Sequence, residues 1–181
     1  MVIVPTPSKD RKPYLVLPYC KNGSIMKYIG RFTEIQAWHL LRDVASGLAF
    51  LHAMQPNIIH QDIKPDNIMI GNDGETFMIT DFGVSTHVRS TLRKSIGAFS
   101  SAGTIAYMAP ERFSKNNTPI PANDIYSLGA TVYEMLTGDV PFGDQGGLFQ
   151  KSGAEIPELS GYYSDDLKKV LNMCLPGHFR R

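Results

Sequence analysis

The clearest hydrophobic pattern in the chain is helical and lies between Thr33 and Met54. Apolar side chains recur there at intervals of three and four residues, which places them on one face of a helix. The positions on that face are Ala37, Leu40, Leu41, Val44, Leu48 and Leu51. Thr33 and Gln36 form a capping-box pattern at the start, and Pro56 stops the helix. The sequence therefore predicts a helix over residues 33–54 with one buried face.

Two further helices are predicted in the second half of the chain. Residues 124–137 are apolar nearly all round, which is typical of a helix at the centre of a domain. Gly138 is the expected C-cap of this helix. Ser164 is the expected N-cap of the last helix, which has two aspartates in its first turn and ends at Pro176.

Short apolar segments indicate strands between these helices. Residues 68–70 and 77–79 flank a turn at 71–74, so they predict a hairpin. A second strand pair is predicted near the amino terminus, at residues 2–4 and 14–17. Together with the helices, these elements predict a fold that is mainly α with a small β-hairpin.

The segment from 85 to 103 is rich in small and polar residues and has no apolar period. It is predicted to form a long loop, and loops of that length inside a compact domain usually serve a function.

The composition narrows the class of protein. The chain has 181 residues, 43% of them hydrophobic, and a net charge of +1. A solid core is therefore expected, and neither nucleic acid nor a membrane surface is expected as a partner. Two cysteines, Cys20 and Cys174, exclude a disulfide framework and favour a reducing compartment. Pro5 and Pro7 interrupt the first apolar stretch, so no signal peptide is expected and the predicted location is cytoplasmic.

The predicted hairpin gathers polar residues that suit phosphate chemistry. With Gly74 near the centre of the turn, antiparallel pairing sets Asn67 opposite Asp81. An amide oxygen and a carboxylate are ligands suited to Mg²⁺. Asp62 and Lys64 lie just upstream, so a base, a metal site and a cation converge, as phosphoryl transfer requires. The alternative is a solvated turn that carries a few charges.

Four motifs carry a family resemblance. Residues 60–67, His-Gln-Asp-Ile-Lys-Pro-Asp-Asn, resemble the catalytic loop of protein kinases, and 81–83, Asp-Phe-Gly, resemble their metal-binding triplet. Residues 103–111 are similar to the end of a kinase activation segment, and 124–129 to the start of the central helix of the C-terminal lobe. Four such motifs in this order are highly specific to the protein kinase family.

The resemblance implies catalytic roles for individual residues. Asp62 would accept or orient the proton of the substrate hydroxyl, and Lys64 would neutralise charge on the phosphate transferred from ATP. Asn67 and Asp81 would hold Mg²⁺ against the ATP phosphates. Lys64 together with Thr104 resembles a Ser/Thr kinase, so a protein substrate with a Ser or Thr acceptor is expected.

The resemblance also implies an adenine site. The strand at 14–17 is similar to the one that enters the kinase hinge, with Leu17 as gatekeeper. The Pro18 carbonyl and the Cys20 main chain would meet the adenine edge, and Met69 would lie beneath the base. For Leu17 and Met69, ordinary core packing is the alternative.

Supporting roles follow for four polar residues. Asp124 would brace the backbone of the catalytic loop from below. His60 is interpreted as a packed, hydrogen-bonded support and not as a base. Asp66 and Glu134 occupy places that face a basic peptide in some relatives, and a solvated acid is the alternative for each.

One departure from the family concerns regulation. Gln61 replaces the usual Arg, which pairs with a phosphorylated residue in the activation segment, and Gln cannot form a charge-assisted bidentate bond. Strict activation by loop phosphorylation is therefore not expected. The segment offers four acceptors: Thr91, Ser95, Ser100 and Ser101. Three basic residues are the expected partners of any phosphate there: Arg89, Arg93 and Lys94.

A second departure concerns completeness. The chain has no Gly-x-Gly loop and no Val-Ala-Ile-Lys-like strand, which relatives use to hold the ATP phosphates. The Arg that pairs with Glu111 in relatives would fall at or just beyond Arg181, and Arg180 and Arg181 are the two candidates in this chain.

The resemblance therefore predicts three parts, truncated at both ends: a remnant of N-lobe strands at 1–17, a hinge at 18–23 and a C-lobe at 24–181. The C-lobe includes an activation segment at 81–111. The expected function is that of a Ser/Thr kinase fragment with ATP and Mg²⁺ as cofactors and little activity on its own. The alternatives are a non-catalytic binding module and an inactive truncated kinase.

Overall fold

The computed structural model describes residues 2–4, 14–81, 105–115 and 117–176. Within these ranges the chain forms four helices and two small antiparallel sheets. The helices are α1 (Glu34–His52), α2 (Pro121–Thr137), α3 (Gly147–Lys151) and α4 (Asp165–Cys174). The strands are β1 (Val2–Val4), β2 (Tyr14–Val16), β3 (Ile68–Ile70) and β4 (Phe77–Ile79). Short 3₁₀ turns cover Ile25–Tyr28, Pro65–Asn67, Pro110–Phe113 and Gly143–Gln145. The predicted fold, mainly helical with a small hairpin, is confirmed.

Helix α1 forms where the apolar period predicts it. The Gln36 N–H donates to Thr33 Oγ1 over 3.3 Å, and the Thr33 N–H donates to Gln36 Oε1 over 2.9 Å, so the predicted capping box is present. All six positions predicted for the inner face are buried. The helix ends at His52, two residues earlier than predicted, and Ala53 is its C-cap.

Helix α2 is the centre of the structure, and 13 of its 17 residues are buried. It packs against α1 and α4, which explains why its sequence is apolar nearly all round. It begins at Pro121, three residues before the predicted start, because Pro suits the first helical position. Gly138 caps its end with a φ of +93°, a backbone conformation that favours glycine.

The β3–β4 hairpin has a register one residue away from the predicted one. Ile68 pairs with Ile79, so Asn67 faces Thr80, and the prediction that Asn67 faces Asp81 is wrong. The Asp73 carboxylate is the reason, because it accepts the N–H groups of Glu75 and Thr76, each over 3.0 Å. Its hydrogen bonds to the Thr76 side chain and main chain, and then to Glu75, lower the pKa of Asp73 to about 2. The turn is therefore centred between residues 73 and 74.

The predicted N-terminal strand pair is present as β1 and β2, with Val2 opposite Val16.

Helix α4 begins after Ser164, whose Oγ accepts the Leu167 N–H over 3.3 Å, so the predicted N-cap is confirmed. Among the described residues, no helix combines the length and apolar character needed to cross a lipid bilayer.

Gly129 allows α2 and the end of α4 to approach closely. A Cβ atom at this position would lie 2.6 Å from Cys174 Cβ and 3.1 Å from Leu175 Cγ. Gly129→Ala is therefore expected to lower the free energy of unfolding by about 1–3 kcal/mol, because the two helices must separate. Urea denaturation measures the change. Gly161→Ala is the matched control, since nothing lies within 4 Å of its added Cβ, and equal losses for both variants would contradict the packing argument.

Candidate active site

Asp124, near the start of α2, anchors the loop that carries the candidate catalytic residues. Its side chain is fully buried. Oδ2 accepts the His60 N–H over 2.8 Å, and Oδ1 accepts the Gln61 N–H over 2.7 Å. The predicted brace beneath the loop is therefore confirmed. With its N–H held in this way, Gln61 has a φ of +68°, which is uncommon for a residue with a side chain.

His52, the last residue of α1, is a further support that the sequence reasoning missed. Its Nε2 lies 2.8 Å from Asp124 Oδ2. A carboxylate oxygen can only accept, so this nitrogen carries the hydrogen. The contact joins the end of one helix to the start of another, 72 residues away. Only its position at the end of an amphipathic helix hinted at this role.

His60 connects the loop to the end of β4. It is fully buried, and its Nε2 lies 3.0 Å from the main-chain carbonyl of Thr80. Nε2 must donate there, so Nδ1 is left to accept the Asp62 N–H over 3.3 Å. The side chain is thus a packed, hydrogen-bonded support, as the sequence indicates, and not a base.

Asp62 is held by two of the predicted site residues. Its Oδ2 accepts Asn67 Nδ2 over 2.9 Å and lies 3.2 Å from Lys64 Nζ. Asn67 Nδ2 also donates to the Asp62 carbonyl over 2.8 Å, so the side chains are locked in one arrangement. The second oxygen, Oδ1, is buried and has no hydrogen-bond partner among the described residues. Such an atom is costly unless something donates to it, so Oδ1 is placed to accept a hydrogen from a bound molecule.

The amide of Asn67 is oriented by the same contacts. Both of its bonds to Asp62 use Nδ2, which leaves the carbonyl oxygen Oδ1 as the atom that can bind a cation. Asp81 follows Thr80, whose N–H donates to the Asn67 carbonyl over 2.9 Å. Asp81 is exposed and has a φ of +61°.

No group of three or more His, Cys, Asp or Glu side chains that could hold a metal occurs in the described ranges. Mg²⁺ nevertheless needs only one or two protein ligands when phosphates and water supply the others. The donor set of Asn67 Oδ1 and Asp81 is compatible with that ion.

Comparison with known proteins agrees with this geometry. The family model "Protein kinase domain" matches residues 3–175. The chain belongs to the protein kinase family. It is 34% identical to the serine/threonine-protein kinase PknL of Mycobacterium tuberculosis, over 88% of this chain and 40% of that protein. It is also 36% identical to human 3-phosphoinositide-dependent protein kinase 1, over 78% of this chain and 26% of the relative.

A plant relative gives the same result. Identity to the mitogen-activated protein kinase kinase kinase YODA of Arabidopsis thaliana is 34%, over 92% of this chain and 19% of that protein. The chain therefore spans less than half the length of each of these kinases.

The segment predicted to be the hinge, residues 18–23, is tied to the β3–β4 turn by residues that the sequence reasoning did not select. Asn72 Oδ1 accepts the Lys21 N–H over 3.0 Å, and its Nδ2 donates to the Tyr19 carbonyl over 3.3 Å. Asn22 donates in turn to the Gly71 carbonyl. These contacts hold the predicted hinge against the turn of the hairpin. An Asn in a turn has many common uses, so the sequence around Asn72 alone does not indicate these contacts.

The four residues predicted to contact adenine lie in or near the segments that these hydrogen bonds join. Leu17 is 45% exposed, Pro18 is exposed, and Cys20 is half-buried. In β3 the neighbours of Met69 are buried, while Met69 is half-buried on the opposite face, across from the exposed Met78. Neither Leu17 nor Met69 therefore lies in the buried core of the described structure.

Glu134 of α2 is enclosed and not solvated. Only 9% of its surface is exposed, and Oε2 accepts the Tyr107 hydroxyl over 2.6 Å. Burial raises the pKa of Glu134, the Tyr107 hydrogen bond opposes this, and the negative charges of Asp66 and Asp139 add to the rise. The solvated-acid alternative is thus wrong for Glu134, whereas Asp66 is exposed, as that alternative states.

Glu111 accepts a hydrogen bond from Asn123. Its two candidate partners, Arg180 and Arg181, lie outside the described residues.

The remaining predictions fall outside the described ranges. The long loop predicted at 85–103 lies there, together with its four candidate phosphorylation sites and its three basic residues. Thr104 lies there as well.

Proposed function

We propose that the protein carrying this lobe transfers the γ-phosphate of ATP to Ser or Thr hydroxyls of protein substrates. The observation that carries the proposal is Asp62 Oδ1, a buried carboxylate oxygen without a partner among the described residues. Lys64 and Asn67 occupy the other oxygen, so the vacant one is held in a fixed direction. A preorganised acceptor of this kind is what orients an attacking hydroxyl.

Four residues have defined roles in the proposed reaction. The oxygen of the substrate hydroxyl bonds to the γ-phosphorus while Asp62 accepts the hydroxyl proton. The bond from this phosphorus to the ADP oxygen breaks in the same step. Lys64 holds Asp62 in place and offsets negative charge on the transferred group. Asn67 and Asp81 would bind Mg²⁺, which supplies positive charge along the ATP phosphates.

The adenine site belongs to the same proposal. Leu17, the Pro18 carbonyl, the Cys20 main chain and Met69 would contact the base. The exposure of the hinge residues and the half-buried face of Met69 support this role. We assign 1–17 to N-lobe strands and 18–23 to the hinge. Residues 24–181 form the C-lobe, with an activation segment at 81–111.

A cytoplasmic site of action is also part of the proposal. Both cysteines, Cys20 and Cys174, are free thiols. Free thiols are typical of a reducing compartment, and ATP is available there.

The test compares the full-length protein with the 181-residue chain in an assay of label transfer from γ-labelled ATP to Ser- and Thr-containing peptides. The full-length protein is expected to turn over at about 1–100 s⁻¹ with Mg²⁺ and to stop when EDTA is added. The shorter chain is expected to show little or no transfer, because groups that hold the phosphates are missing from it.

Two outcomes would count against this account. No transfer by the full-length protein would favour the non-catalytic binding module. Ordinary kinase turnover by the 181-residue chain would show that the phosphate-holding parts are not needed.

A further inference from the structure

Gln61 contacts a cation supplied by the chain itself. Its Oε1 accepts a hydrogen bond from Arg112 Nη2 over 3.4 Å. Arg112 lies in the 3₁₀ turn Pro110–Phe113, 51 residues further along the chain. The bond therefore joins the predicted catalytic loop directly to the turn at the end of the activation segment.

Arg112 is built into this position. Only 7% of its surface is exposed, and its Nη1 donates to the Asn117 carbonyl. A buried guanidinium is tolerated when its N–H groups have acceptors, and its rigid fork can serve several acceptors at once. The main chain is fixed as well, because the Arg112 N–H donates to the Ala109 carbonyl over 3.0 Å. The guanidinium is thus a fixed donor for Gln61.

Gln61 is well placed to transmit this contact. Its N–H is held by Asp124, and its φ of +68° is uncommon for a residue with a side chain. The next residue is Asp62, whose carboxylate must keep one direction. With the main chain of Gln61 bound on one side and its side chain bound on the other, rotation of the peptide before Asp62 is restricted.

We propose that Arg112 is a positioning residue that holds Gln61, and through it Asp62, without a phosphate on the activation segment. The inference rests on the proposed kinase function. In relatives with Arg at this place, a phosphorylated residue supplies the partner charge. Here the polarity is reversed, since the chain provides the cation and position 61 provides a neutral acceptor.

A residue swap in the full-length protein tests the proposal. Gln61→Arg places two guanidinium groups together, and Arg112→Gln removes the donor. Each single change is expected to lower kcat about tenfold, the scale of one hydrogen bond to a charged group. The KM for ATP is expected to stay within about twofold, because neither residue lies at the hinge. The double variant Gln61→Arg with Arg112→Gln restores a donor and an acceptor and is expected to recover most of kcat.

Three companions separate positioning from stability. Arg31→Gln is the matched control, since Arg31 is exposed and distant in sequence from the site; its kcat is expected to be unchanged. Gln61→Ala removes the acceptor and leaves the buried guanidinium intact, so it keeps the test open if Arg112→Gln fails to fold. Wild-type protein treated with phosphatase is expected to retain its kcat.

Several results would overturn the positioning role. One is Arg112→Gln or Gln61→Ala with a lower melting temperature but an unchanged kcat. Another is a double variant no faster than the slower single variant. Loss of activity after phosphatase treatment is a third. Absence of transfer by the wild type is a different result, because it rejects the proposed function itself.

Discussion

Asp62→Asn is expected to lower the kcat of the full-length protein by about 10²–10⁴-fold, the usual contribution of a positioned general base. The amide keeps the shape of the side chain but cannot take a proton from the substrate hydroxyl. It also turns one of the two acceptor oxygens into a donor, which opposes either the contacts of Lys64 and Asn67 or the substrate hydroxyl. Steady-state peptide phosphorylation measures the loss.

Asp144→Asn is the matched control for this change. Asp144 is exposed in the 3₁₀ turn Gly143–Gln145 and is distant in sequence from the predicted catalytic loop. The kcat of the Asp144→Asn protein is therefore expected to stay at the wild-type value. An Asp62→Asn protein that keeps its fold and loses less than about tenfold in kcat would remove Asp62 from the role of base.

Asp124→Ala is expected to lower the free energy of unfolding by about 3–5 kcal/mol, the usual scale for removing one partner from a buried charged contact. The change takes away the acceptor of two loop N–H groups and of His52 Nε2. The carboxylate itself is fully buried, so water cannot take its place beside these donors without a rearrangement. Urea denaturation of the chain, followed by circular dichroism, measures the effect.

Two further variants sharpen this measurement. Asp124→Asn keeps the volume of the side chain and one of its acceptor oxygens, so a smaller loss than for alanine is expected. Asp144→Ala removes an exposed carboxylate, and its unfolding free energy is expected to change by less than about 0.5 kcal/mol. If Asp124→Ala were no worse than Asp144→Ala, the brace would not stabilise the fold.

The helices were predictable because local chemistry and burial agree in them. In α1 the capping box and the apolar period both indicate the same start and the same buried face. In α4 a single Ser164 hydroxyl marks the beginning. Such signals lie within a few residues of one another, so the sequence displays them directly.

The register of the hairpin was harder to predict, since it depends on one side chain in the turn. The sequence of residues 71–74 is compatible with two turn centres that differ by half a residue, and the hydrogen bonds of the Asp73 carboxylate favour the one observed. A slip of one residue changes which groups face each other. Asn67 and Asp81 were therefore selected correctly as neighbours of the hairpin, but the register between them was wrong.

The supports of the site could not be found by local reasoning. His52 reaches Asp124 across 72 residues, Asn72 reaches Lys21 across 51, and Arg112 reaches Gln61 across 51. Within its own segment, each of these side chains can be explained by local structure without any distant contact. Their functions arise only when tertiary packing brings distant segments together.

A crystal structure of the full-length protein with Mg²⁺, a non-hydrolysable ATP analogue and a serine peptide tests the proposed role of Asp62 most directly. The serine Oγ is expected at about 2.6–3.2 Å from Asp62 Oδ1. Mg²⁺ is expected at about 2.0–2.1 Å from Asn67 Oδ1 and from an Asp81 carboxylate oxygen. A bound serine hydroxyl directed at another group, with Asp62 Oδ1 occupied by a donor from the protein itself, would contradict the proposed role of Asp62.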